Sequence, residues 1–104
     1  MINTTDIRER IESDFGEKAG EAFKTIHEAL TKTDYLNHDR IIRCIVFLTE
    51  KDIDKLKDCI ETAAADPRDV MFWAEYTNLA RGQKPRRIRD FNRAFDQCEI
   101  DVKE

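Results

Sequence analysis

The chain has 104 residues, the size of one domain, with 38% charged and 40% hydrophobic residues against a typical charged share of about 25%. Three Gly, two Pro and nine aromatic residues (six Phe, two Tyr, one Trp) exclude a collagen, a Gly/Ser linker and a disordered charged chain, and leave too few turn residues for an all-β sandwich. The net charge is −4, but it is unevenly spread. Residues 79–95 carry six bases (Arg81, Lys84, Arg86, Arg87, Arg89, Arg93) and one acid, Asp90, between two acidic flanks. Such a segment suits an acidic partner, a nucleic acid or the rest of the same chain.

Cys44, Cys59 and Cys98 are odd in number and without CxxC spacing, so neither a disulfide framework nor a zinc ligand set is expected. The first residues lack a basic stretch followed by an apolar one, and no run approaches the ~20 residues of a membrane span. The expectation is a reduced cytoplasmic protein with no membrane association and no cofactor.

In chain order, Asp6 is expected to cap a first helix, with Glu9 at N3. Ile7, Ile11 and Phe15 share one stripe, which continues through Ala19, Ala22, Phe23, Ile26 and Leu30. Gly16 and Gly20 each cost a helix interior about 1 kcal/mol, so a break at Gly16 is favoured over one helix to Lys32. Thr33 to Asn37 reads as a turn. Asn37 or His38 then opens a third helix whose apolar residues, Ile41 to Leu48, cover more than one stripe and place it centrally. Glu50 and Lys51 connect it to a fourth helix capped by Asp52, amphipathic, with Ile53, Leu56, Cys59, Ile60, Ala63 and Ala64 on one face.

Asp66-Pro67-Arg68-Asp69 is a strong helix start, because the missing N–H of a proline at N1 has no partner there anyway. The fifth helix is expected to run through Val70-Met71-Phe72-Trp73-Ala74-Glu75-Tyr76 and stop near Gly82. Ile88, Phe91, Phe95 and Cys98 predict a sixth helix over 85–98, with an extended arm folded over the core as the alternative for 83–95. The fold expected is all-α: a single domain of five or six short helices in antiparallel hairpins. Helices three to five resemble one unit of a helical solenoid, although no sequence period repeats.

No catalytic constellation emerges. The cysteines sit on apolar stripes and read as core, and none begins a helix, where a thiolate would be stabilised. His27 and His38 stand outside the i, i+4 spacing of paired ligands and read as surface and cap. Asp54, Asp58 and Glu61 form a carboxylate row interleaved with lysines, which reads as a solvated face or a secondary contact. Glu75 lies in an apolar helix and requires a cation, for which Arg87 or Arg89 is the expected source, with Ile88 and Phe91 closing the core.

Trp73, Tyr76 and the arginines Arg81, Arg86, Arg87, Arg89 and Arg93 combine residue types enriched at protein interfaces. The function expected is a non-catalytic protein–protein interaction module, binding a partner or itself. The alternative is a small nucleic-acid-binding regulator that uses Arg86, Arg87, Arg89 and Arg93 on phosphates, with acidic flanks that would repel a phosphate backbone.

Overall fold

A computed structural model describes residues 2–76 and 85–100. Five α-helices are formed among them: α1 (Thr5–Phe15), α2 (Ala19–Lys32), α3 (Asp39–Thr49), α4 (Ile53–Ala65) and α5 (Pro67–Glu75), with short 3-10 turns at Gly16–Lys18 and Asp34–Leu36. The all-α single-chain architecture agrees with the sequence pattern. α1 pairs with α2, α3 with α4, and α5 packs on both α3 and α4.

The break at Gly16 is real. Gly16 ends α1 at φ +51, a conformation that costs any residue with a Cβ. Because the 3-10 turn resumes the helical path, Ile7, Ile11 and Phe15 on α1 and Ala22, Ile26 and Leu30 on α2 still share the core. α3 is central as expected, with Ile41, Ile42, Cys44, Ile45 and Val46 all buried. His38 caps it, Nδ1 accepting from the Arg40 N–H at 3.3 Å. Asp52 caps α4 by accepting the N–H of Asp54 at 2.8 Å, and Asp66 caps α5 with Pro67 at N1. These starts are fixed by local chemistry, so the sequence places them correctly.

Three expectations are corrected. Asp6 is not the cap of α1: Thr4 occupies that position without a side-chain cap bond, and its hydroxyl donates to Asp39 at 2.9 Å. The Asp6 carboxylate is instead occupied by Arg43 and the backbone of Phe95. α5 ends at Glu75, before the expected stop near Gly82, a position outside the described residues. Tyr76 is extended (φ −111, ψ 152) and bridges Arg87 in antiparallel fashion. The Glu75 carbonyl accepts the N–H groups of Ile88 and Arg89 at 2.7 and 3.1 Å, and this cross-chain pairing competes with another helical turn.

The sixth helix is absent from residues 85–98, and the arm alternative describes what is there. Residues 87–100 fold back as an irregular antiparallel ribbon: Asp90 N–H donates to Cys98 C=O at 2.7 Å and Ile100 N–H to Ile88 C=O at 2.9 Å. The N–H groups of Phe91 and Phe95 go to carboxylates of distant helices rather than to carbonyls one turn back. Asp90 accepts from both the backbone and the side chain of Asn92, the local pairing that turns favour over helices. Phe91 and Cys98 are nevertheless buried, and Phe91 meets Phe47 and Phe95 at ring-centroid distances of 5.3 and 5.7 Å.

Candidate functional site

The arm is received by two carboxylates, each neutralised by an arginine of α3. Glu75, with 0% of its surface exposed, takes a two-pronged contact from Arg40, Nε at 3.1 Å and Nη2 at 2.5 Å. It also accepts the Phe91 N–H at 2.9 Å and lies 3.4 Å from Arg87 Nη2. Asp6 takes Arg43 at 3.0 and 2.9 Å and the Phe95 N–H at 3.1 Å, while Arg43 Nη1 donates to the Phe91 carbonyl at 3.0 Å. Burial alone would raise the Glu75 pKa, but the Arg40 guanidinium, the Phe91 N–H and the Arg87 charge outweigh it and hold the carboxyl below its ordinary value. Asp6 follows the same balance, with Arg43 and the Phe95 N–H prevailing over desolvation.

The cation expected for Glu75 is thus present, but its principal source is Arg40, which sequence reasoning did not single out. Arg87 is the secondary partner; it reaches Asp90 at 3.0 Å as well, and among the described residues its buried Nε has no hydrogen-bond partner. Arg89 does not pair with Glu75. It donates to the Ala74 carbonyl at 3.2 Å and lies over the Phe47 ring at 4.5 Å from the centroid. Of the basic segment, Arg87 and Arg89 therefore serve the fold. Arg86 and Arg93 are exposed, with Arg93 3.9 Å from Asp90. Arg81 lies outside the described residues.

The aromatic half of the expected surface lies on the outward side of α5. Val70, Ala74 and Glu75 point inward, which leaves Asp69, Phe72 and Trp73 at i, i+3 and i+4 along the opposite face, with the extended Tyr76 just past the helix end. Phe72 is 46% and Trp73 56% exposed, and Tyr76 stacks on Phe72 at 5.1 Å between centroids. Trp73 therefore belongs to the surface, not the core. Phe72 is the member of this stripe that the sequence reading left out of the site, although its spacing from Tyr76 carried the signal.

The cysteines take core positions: Cys44 and Cys98 are buried, Cys59 is half-buried, and desolvation pushes all three thiols up. His27 is exposed, as are Asp54, Asp58 and Glu61 along α4. Among the described residues no helix is long and apolar enough to cross a membrane. No family model, curated protein or solved structure significantly matches the chain.

Proposed function

We propose that this chain is a non-catalytic protein-interaction module that associates with a second copy of itself through the outward stripe of α5. The observation that carries the reading is the pair of large rings, Phe72 and Trp73, left about half exposed side by side on a helix whose inward face is fully packed. Clustered exposed aromatics are the usual mark of a contact surface, and Trp and Tyr are the residues on which interface energy concentrates. The stripe carries both signs of charge beside the rings, from Asp69 and from Arg68, whose guanidinium is paired with Asp66 at 2.8 Å. A two-fold arrangement would set each aromatic group against its counterpart.

The nucleic-acid alternative has less support, since Arg87 and Arg89 are engaged inside the chain and cannot neutralise phosphates without giving up those contacts.

Light scattering on a size-exclusion column, with wild type beside Phe72→Ala/Trp73→Ala, tests the proposal. A wild-type dimer that the double variant converts to a folded monomer supports it. A wild type that remains monomeric at high protein concentration, indistinguishable from the variant, overturns it.

A further inference from the structure

A crevice of about 420 Å³ opens between the N-terminal segment and the first two helices, lined by Ile2, Arg8, Phe23, Lys24 and His27. Its floor is apolar, formed by the buried Ile2 and the half-buried Phe23 ring, and its rim carries Arg8, Lys24 and His27. Among the described residues no acidic one lines it. A second cleft, by contrast, sets Asp14 and Glu50 against Arg10 and Lys51, so its charges balance. Arg8 is held in place from two sides: its guanidinium lies 5.0 Å from the centroid of Phe23, and Nη1 donates to the Ile2 carbonyl at 3.1 Å. Among the described residues, none of Arg8, Lys24 and His27 forms an ion pair. In a chain of net charge −4, a concave site whose charged lining residues among those described are Arg8 and Lys24 attracts an anion against the overall field.

We propose that this crevice binds a small amphipathic carboxylate, its apolar body lying on Ile2 and Phe23 and its carboxylate held by Arg8, Lys24 and His27. The volume falls in the range of about 300–1,000 Å³ usual for small-molecule sites, where an apolar surface supplies affinity and a few polar groups fix orientation. The anchored guanidinium is suited to the anionic end, because a planar fork already fixed on a ring loses little freedom when it accepts a carboxylate. Lys24 and His27, one turn apart on α2, add two further cationic or N–H donors on the same side. No lining residue belongs to α5, so the site is independent of the self-association proposed above.

The test is a titration of the isotopically labelled full chain with octanoate, octanol and acetate, followed by backbone amide shifts. Octanoate is expected to give saturable shifts centred on residues 2–8 and 23–27, with octanol and acetate each at least about tenfold weaker. The exposed-site variant Arg8→Gln/Lys24→Gln is expected to weaken octanoate about tenfold while leaving the remaining spectrum unchanged. Acetate binding as tightly as octanoate would reduce the site to exposed cations, and octanol binding equally would reduce it to an apolar crevice. Either result, shifts centred elsewhere, or no saturation, overturns the proposal.

Discussion

Arg40 and Arg43 stand one turn apart on α3 and grip two carboxylates from helices on either side of it in the sequence, Glu75 of α5 at 2.5 Å and Asp6 of α1 at 2.9 Å. Each carboxylate then accepts one backbone N–H of the C-terminal arm, from Phe91 and Phe95 respectively. The central helix thereby holds α1, α5 and the arm together with two charged clasps rather than with apolar contact alone. Buried ion pairs of this kind rarely add net stability over an apolar pair, but they are costly to break halfway.

Arg40→Gln is therefore expected to destabilise the fold by about 3–5 kcal/mol, because it leaves the fully buried Glu75 carboxylate without its main partner, a large part of the roughly 5–15 kcal/mol available to a domain. Glu75→Gln should cost less, because the Arg40 and Arg87 guanidiniums it strands keep about a third of their surface in water. Double-mutant cycles by chemical denaturation should give a larger coupling of Glu75 with Arg40 than with Arg87, because Arg40 engages both carboxylate oxygens whereas Arg87 reaches one at 3.4 Å. Equal couplings, or a larger one to Arg87, would contradict the geometry.

The two clasps also set the acid limit of the fold. Asp6 and Glu75 have folded-state pKa values below their ordinary 3.8 and 4.5. Their contribution is therefore present above those values and is lost as pH falls through the lowered ones. The urea midpoint should be flat from neutral pH to about pH 5.5 and then decline in acid. Glu75→Gln should flatten that decline. Amide exchange at Phe91 and Phe95, corrected for intrinsic rate, should lose protection ahead of α3.

What the sequence reveals and conceals here follows the range of each interaction. The caps Asp52 and Asp66 and the break at Gly16 depend on residues within one turn, and all three are legible. That Glu75 needs a cation is legible from its apolar neighbours, but Arg40 lies 35 residues away and nothing local points to it. Asp6 gives the local signal of a cap, yet its carboxylate is spent on a guanidinium 37 residues away and on an N–H 89 residues away. Ile88, Phe91, Phe95 and Cys98 fit a helical stripe, but carboxylates fixed on other helices draw their segment into turns. Residue type alone leaves Trp73 and Tyr76 open between core and contact surface, and only the packing of α5 turns Trp73 outward, just as the split of the arginines into the internally engaged Arg87 and Arg89 and the exposed Arg86 and Arg93 depends on the tertiary path of the arm.

The connection between α3 and α4 carries unrelieved backbone strain. Glu50 and Lys51 both have positive φ, 50° and 67°, and neither is the glycine that such angles favour. Lys51→Gly is expected to stabilise the fold by roughly 0.5–1 kcal/mol, the left-handed penalty removed exceeding the added freedom of the unfolded chain. Glu50→Gly should gain less, because it also removes the exposed pair with Lys55 at 3.5 Å, itself worth about 0–1 kcal/mol. Thermal denaturation of the two variants beside wild type measures both, and a lower midpoint for Lys51→Gly would refute the strain.

Gly16 and Gly20 provide a test in opposite directions with the same substitution. A Cβ at either position meets nothing within 4 Å, so packing plays no part and only backbone conformation decides. Gly16 has φ +51 and ψ −117, outside the left-handed helical region, and alanine there must adopt a conformation that costs an L-residue about 1–3 kcal/mol. Gly20 lies in the first turn of α2 and is exposed, where alanine is favoured over glycine by up to about 1 kcal/mol. Gly16→Ala should therefore lower the melting temperature and Gly20→Ala raise it, each by about 4–8 °C per kcal/mol for a domain of this size. A stabilising Gly16→Ala would mean that α1 and α2 join as one continuous helix, and the 3-10 turn at Gly16–Lys18 would have to give way to the uninterrupted stripe that runs from Ile7 to Leu30.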